Sequence, residues 1–161
     1  MQHLKNKSVT ELLKLHVAVG EELLDRKVMR SANNPTGDLA ESLFCRSFDW
    51  KQAPNSEHGF DAKDADGCRY QIKSRRMHKR NTSRQLSALR NLQESPFDVL
   101  AGVLFTNDYS ILKACLIPVS TVIKRATFTS HTNSHRFMLT DEIWELEDVE
   151  DVTERLRATR L

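Results

Sequence analysis

The chain has 161 residues, of which 39% are hydrophobic and 29% are charged, and its net charge is +2. This composition is typical of a folded domain and excludes a disordered chain. No apolar run is long enough to cross a bilayer, and the N-terminus lacks the apolar stretch of a secretory signal peptide. Three scattered cysteines form neither a disulfide framework nor a zinc-binding pair, which favours the cytoplasm.

The N-terminal part of the chain is predicted to be helical. Ser8 and Glu11 have the spacing of a capping box, and apolar residues then recur at helical intervals, so a long helix over residues 9–29 is predicted. The segment NNPTGD, residues 33–38, interrupts this helix and begins a second one. Glu41 falls at the edge of the apolar stripe of that second helix.

The middle of the chain is predicted to form strands. Residues 59–75 have the pattern of a hairpin, and residues 83–92 are predicted to form a short helix. The nearly continuous apolar run at 98–105 indicates a buried central strand, and 109–118 is predicted to return beside it. The C-terminal elements are predicted to be a helix at 118–126, a strand at 136–139 and a helix at 148–158.

These elements predict one α/β (or α+β) domain, with helices first, then a sheet, then helices. Residues 1–32 would form an N-terminal helical extension, 37–118 the core, and 119–161 a C-terminal strand with an acidic helical tail. The long first helix and the acidic tail are candidate dimerisation elements, so a homodimer is one alternative for the assembly.

The charges are unevenly distributed along the chain. Residues 69–90 contain eight basic side chains and no acidic one, whereas residues 141–154 contain eight acidic side chains and no basic one. A basic segment of this kind favours a polyanionic partner such as DNA. The alternative is a solvated basic face beside an acidic surface helix.

The register of the hairpin decides which side chains share a face. Gln71 and Lys73 lie on one face of the second strand, because side chains alternate along a strand. A two-residue turn at 66–67 would leave Asp61 on the opposite face. A three-residue loop at 65–67, with Gly67 in the left-handed conformation, would pair Asp61 with Gln71. We predict the three-residue loop and the convergence of Asp61, Gln71 and Lys73.

Other metal sites are disfavoured by the residues at the key positions. An EF-hand loop aligned on the hairpin glycine would have Ala62 at position 1 and Lys73 at position 12, where carboxylates are required. His131 and His135 have the spacing of a helical zinc site, but their segment is predicted to be a loop that enters a strand.

An aspartate, a turn, and then an acid or amide two residues before a lysine resembles the motif of the PD-(D/E)xK, or restriction endonuclease-like, nuclease superfamily. The matching residues are Asp61 and Gln71-Ile72-Lys73, with Glu41 on the preceding helix. The resemblance covers residues 37–118 and implies a mixed central β-sheet flanked by helices. Gln71 stands where a second carboxylate is usual. Some branches of the superfamily that cut DNA, including ones that resemble Mrr-type enzymes, also have a glutamine at this position.

The resemblance implies an endonuclease that hydrolyses DNA with Mg²⁺ or Mn²⁺. Asp61 would be the principal metal ligand, with Glu41 binding directly or through water. Gln71 and the carbonyl of Ile72 would complete the ligands. Lys73 would orient or activate the attacking water, or stabilise the pentacovalent phosphate. The residues expected to bind flanking phosphates are Arg75, Arg76, Lys79, Arg80 and Arg84.

Gln71 also leaves a second function open. An amide oxygen can bind a hard cation but supplies no charge, so the metal affinity should be lower than with glutamate. A catalytically weak or inactive DNA-binding module that retains the nuclease fold is therefore the alternative. Taken singly, Asp61 is explained as a hairpin residue, and Glu41 as a surface residue paired with Arg46 or another nearby base.

Overall fold

The computed structural model describes residues 2–54 and 56–161, so Met1 of the predicted N-terminal extension lies outside the described residues. This part of the chain contains five α-helices: α1 (Gln2–Lys5), α2 (Val9–Asp25), α3 (Thr36–Phe48), α4 (Val119–Arg125) and α5 (Thr153–Ala158). Its strands are β1 (Lys51–Gln52), β2 (Ala62–Lys63), β3 (Arg69–Arg76), β4 (Val99–Phe105), β5 (Ile111–Pro118), β6 (Thr127–Thr129), β7 (Ser134–Arg136) and β8 (Glu150–Asp151). None of these helices has the length and hydropathy needed to cross a bilayer.

The central sheet has six strands in the order β1-β2-β3-β4-β5-β8. Strands β3 and β4 are parallel, and the other neighbouring pairs are antiparallel, so the sheet is mixed. Strands β6 and β7 form a separate two-stranded sheet. This mixed sheet with surrounding helices confirms the predicted α+β class, including the central strand β4, its partner β5 and helix α4.

The central sheet separates two hydrophobic cores. Helices α3 and α5 cover one face, where Phe44 and Trp50 pack with Val103 of β4. The opposite face is covered by the connection between β3 and β4, which contributes Leu86 and Leu89. Because side chains alternate along β4, one strand supplies apolar residues to both cores.

The predicted helix at 83–92 is wrong. The backbone N–H of Leu89 donates to the carbonyl of His135 at 2.9 Å, and that of Leu86 donates to Phe137 at 3.0 Å. Residues 83–92 are therefore extended and lie beside residues 135–138. Their leucines are buried against the sheet. The tertiary contacts override a local preference for helix.

Helix α2 begins at the predicted capping box, because Ser8 and Glu11 exchange side-chain and backbone hydrogen bonds. It ends at Asp25 instead of continuing to residue 29. Lys27 has a left-handed φ of 57°, and Val28 N–H donates to the carbonyl of Leu23 at 3.1 Å, as in a Schellman motif. The chain then leaves the helix axis, and Val28 is buried in the domain.

Two C-terminal predictions also need correction. The predicted strand at 136–139 lies earlier, as β7 at Ser134–Arg136. The acidic tail begins with a 3-10 turn at Asp141–Glu145 and adds the short strand β8 to the sheet edge before its final helix. That helix, α5, is shorter than the predicted 148–158.

Candidate metal-binding and catalytic site

The hairpin between β2 and β3 has the register that the three-residue loop requires. Ala62 pairs with Tyr70, and the loop consists of residues 65–67. Gly67 has a φ of +84°, which glycine adopts without steric cost. This arrangement confirms the predicted loop and places Asp61, just before β2, opposite the part of β3 that β2 does not cover.

The carboxylate of Asp61 binds this uncovered edge of β3. Its Oδ2 accepts a hydrogen bond from the backbone N–H of Ile72 at 2.7 Å and another from the side-chain amide of Gln71. Since the N–H and C=O of one strand residue point to the same edge, the carbonyl of Ile72 also faces the Asp61 side. Asp61 and Gln71 therefore converge, as the register predicts.

Glu41 projects from α3 and is held by two donors that the sequence analysis did not identify. Its Oε2 accepts hydrogen bonds from Arg30 and from the amide of Gln52, each at 2.8 Å. Arg30 also donates to the carbonyl of Ala53 at 2.9 Å, which fixes the guanidinium between two segments. Glu41 does not pair with Arg46, which donates to a backbone carbonyl instead. Glu41 pairs with another nearby base, Arg30, as the alternative predicted, but at a mostly buried position.

Burial sets the protonation behaviour of Glu41. Only 16% of its side chain is exposed, and this burial is the main cause that raises its pKa above the ordinary 4.5. The hydrogen bond from Gln52 and the charge of Arg30 act to lower the pKa, whereas the nearby carboxylate of Asp61 acts to raise it. Burial and the second carboxylate outweigh the stabilising donors. A cation bound between the two carboxylates would favour their ionised forms and would therefore lower the pKa of Glu41.

A cavity of about 280 Å³ brings Glu41 and Asp61 together with Ile72 and Lys73. Gln71 contacts this group through Asp61, and it also lines a wider cavity of about 580 Å³ together with Lys73. Lys73 therefore lies at the junction of two clefts. All four predicted catalytic residues lie in or directly beside these two cavities.

A third cavity, of about 310 Å³, lies beside the carboxylate cavity. The two cavities share Asn34, Thr36 and Ser74, and the third is also lined by Arg75 and Arg76. The first turn of α3 lies at this boundary, where the positive end of a helix dipole favours anions. A cavity lined by two carboxylates thus lies beside a cavity lined by two guanidinium groups.

The two arginines that follow the motif are held in place by the protein. Arg75 Nε donates to the carbonyl of Ser83 at 3.2 Å. The guanidinium of Arg76 lies 4.7 Å from the centre of the Tyr109 ring, at the distance of a cation–π contact. These contacts leave other N–H groups of both side chains available for an anion.

The remaining candidate phosphate-binding residues differ from one another. Lys79 and Arg80 are exposed in the turn that follows β3. Arg84 instead forms an ion pair with Asp141 at 2.9 Å, so part of its charge is already neutralised. The basic segment is therefore less uniform in the structure than in the sequence.

The donor atoms around the carboxylate cavity suit a hard cation. Asp61 and Glu41 each keep one carboxylate oxygen that receives no hydrogen bond from the described protein groups, and Ile72 adds a carbonyl. Oxygen donors of this kind are preferred by Mg²⁺ and Mn²⁺. Within residues 2–54 and 56–161, no three histidine, cysteine, aspartate or glutamate side chains cluster as a metal site. The proposed ligands include only two carboxylates.

The histidine pair does not form a helical zinc site. His131 lies in an exposed 3-10 turn, whereas His135 is buried in β7. The ring of His135 contacts Phe128, with the ring centres 5.2 Å apart. A structural role therefore explains this histidine.

No model of a known protein family matches the chain, and a search of curated proteins finds no similar sequence.

Proposed function

We propose that the protein is a metal-dependent endonuclease that hydrolyses phosphodiester bonds in DNA, with a restriction endonuclease-like core. The observation that carries this proposal is the hairpin register, which places Asp61 against Gln71 and Ile72. Glu41 and Lys73 line the same cavity. An acidic group, a lysine and a neighbouring basic cavity together supply what phosphodiester hydrolysis requires.

Each residue of the cavity has a role in this reaction. A bound Mg²⁺ or Mn²⁺ would neutralise developing phosphate charge and lower the pKa of a bound water. Asp61 and Glu41 would hold the cation, and rotation of the Gln71 amide would present its oxygen. The ammonium group of Lys73 would donate to the attacking water or to the phosphate, where it stabilises negative charge.

The cavity lined by the two arginines would determine how the substrate strand lies across the site. Arg75 and Arg76 line the cavity beside the carboxylates, so a nucleic acid strand placed there would have phosphates near both arginines. Lys79 and Arg80 extend the positive surface past the end of β3. DNA binding should therefore depend steeply on salt.

A DNA-binding module without turnover is the second candidate. Gln71 favours it, because the amide is neutral and donates its hydrogen bond to Asp61. The site then has two carboxylates, so its expected metal affinity is lower than it would be with glutamate at position 71. Such a module would bind DNA equally well with EDTA and with Mg²⁺.

The distinguishing experiment incubates the purified chain with supercoiled, linear and single-stranded DNA and with RNA, in Mg²⁺, Mn²⁺ or EDTA. We expect cleavage of DNA with either metal and none with EDTA. Lys73→Ala should lose cleavage while retaining DNA binding in a filter or polarisation assay. Absence of cleavage of every substrate, with binding that is indifferent to EDTA, would favour the module without turnover.

A further inference from the structure

Helix α2 carries a wide apolar surface that the rest of the described chain leaves uncovered. No residue of α2 is buried, and it does not pack extensively against another helix or strand. At 100° per residue, its apolar side chains cover roughly 200° of the circumference, twice the roughly 100° of an ordinary surface helix. Six of these side chains are 38–74% exposed: Val9, Leu12, Leu13, Leu15, Val17 and Val19.

The helix needs a partner to account for its stability. Isolated helices of roughly 15 residues are marginal in water, and α2 has 17 residues. Three valines and Gly20 further lower its helix propensity. The capping box stabilises only the first turn. Burial of the apolar side would supply the missing stabilisation.

The charges on this segment are polarised along the helix axis. From residue 3 to residue 14, three lysines oppose one glutamate, which gives a net charge of +2. From residue 15 to residue 27, three acidic side chains oppose Arg26 and Lys27, which gives a net charge of −1. Two copies in antiparallel orientation would place each basic half beside an acidic half. A parallel pair would place like charges together, and it would also align the two helix dipoles unfavourably.

We propose that α2 is a homodimerisation element, and that it pairs in antiparallel orientation with α2 of a second copy of this chain. Such a pair is isologous, because the same apolar surface of both copies meets across a two-fold axis. A 17-residue helix is roughly 26 Å long, so half of its surface covers roughly 500 Å². Two copies would bury roughly 1,000 Å², which reaches the lower limit for a specific interface.

This inference rests on the exposed helix and its charges, and it does not depend on the nuclease proposal. Because α2 makes few contacts with its own domain, substitutions on its surface should leave the domain folded. The assembly can therefore be tested by mass, without DNA or metal.

The first test measures the mass of the full chain by size-exclusion chromatography with light scattering at tens of micromolar. We expect twice the monomer mass of 18.5 kDa for the wild type. Val19→Glu should give the monomer mass, and the matched control Ala18→Glu, one residue away on the polar side, should remain dimeric. Leu13→Glu provides a second disrupting variant, and circular dichroism melts verify folding. A monomeric wild type, or a dimer that persists in both disrupting variants, would overturn the proposal.

The second test determines the orientation by disulfide cross-linking under mild oxidation, with the wild type as the blank. His16 lies near the midpoint of α2, so His16→Cys should cross-link two antiparallel copies. Val9→Cys would lie roughly 24 Å from its counterpart, beyond the 7 Å limit between Cα atoms. Cross-linking at residue 9 would overturn the antiparallel orientation, and a dimer without cross-linking at residue 16 would overturn the helix pairing.

Discussion

The carboxylate of Asp61 accepts a hydrogen bond from the backbone N–H of Ile72 at 2.7 Å, across the end of the β2–β3 hairpin. This bond continues the hairpin beyond the last pair of its short first strand. It also places a carboxylate next to Gln71 and at the edge of the cavity that Glu41 and Lys73 line. The same interaction thus stabilises the fold locally and forms the candidate site.

Replacing Gln71 with glutamate should strengthen metal binding and weaken the metal-free protein. The added carboxylate supplies a charged ligand, so we expect Mg²⁺ to bind at least about tenfold more tightly. Without metal, the variant loses the hydrogen bond to Asp61 and gains a like charge, at a cost of roughly 1–3 kcal/mol. Thermal melts with and without Mg²⁺ measure both effects. Gln85→Glu, at an exposed position, serves as the control, and equal responses of the two variants would contradict this prediction.

The response to Mg²⁺ should depend on pH through Glu41. The pKa of Glu41 is raised above 4.5 by burial, so the folded protein binds this proton more tightly than the unfolded chain does. The resulting stabilisation is fully present below pH 4.5 and is lost as pH rises through the raised pKa. A cation requires the ionised carboxylate. Mg²⁺ should therefore raise Tm at pH values above the pKa of Glu41, and it should not raise Tm at pH values below that pKa. Melts across pH test this, and Glu41→Gln should reduce the Mg²⁺ effect at high pH.

Removing the Arg30 side chain should destabilise the protein more than removing an exposed arginine. Glu41 is mostly buried, and Arg30→Ala leaves its carboxylate with one fewer donor. We expect a loss of roughly 1–3 kcal/mol in the free energy of unfolding. Arg26→Ala, which breaks an exposed pair with Glu22, should cost less than about 0.5 kcal/mol. Denaturant titrations compare them, and similar losses for the two variants would count against the assigned role of Arg30.

DNA affinity should respond differently to the two groups of basic residues. Lys79→Ala with Arg80→Ala should weaken DNA binding and reduce the salt dependence of log K by about 0.9 per lost phosphate contact. Arg84→Ala should have a smaller effect, because Arg84 is paired with Asp141. Fluorescence polarisation at several salt concentrations distinguishes these cases. If none of these substitutions changes the salt dependence, DNA binds to a different surface of the protein.

The features that could be predicted from the sequence depend on contacts between nearby residues. Gly67 identified the loop type, and the loop type determined where Asp61 would lie. Ser8 and Glu11 likewise identified the start of α2. The apolar run at 98–105 was sufficient for β4, because a strand buried on both faces has few polar positions.

The features that the sequence did not reveal depend on distant contacts. Arg30 reaches Glu41 because the chain turns after α2 and brings the two residues together across 11 positions. Residues 83–92 were predicted to form a short helix, but hydrogen bonds to residues 135 and 137 hold that segment extended. Neither relationship can be deduced from spacing, because each requires the position of another element in the fold.

The most direct test of the proposed function compares Asp61→Asn with Asp66→Asn in Mg²⁺-dependent DNA cleavage. Both substitutions remove one carboxylate charge from the same hairpin, but Asp66 is exposed in the loop and outside the cavity. We expect Asp61→Asn to reduce the single-turnover cleavage rate at least about 100-fold, and Asp66→Asn to cleave at the wild-type rate. Cleavage by Asp61→Asn at the wild-type rate, or an equal loss in both variants, would contradict catalysis at this site.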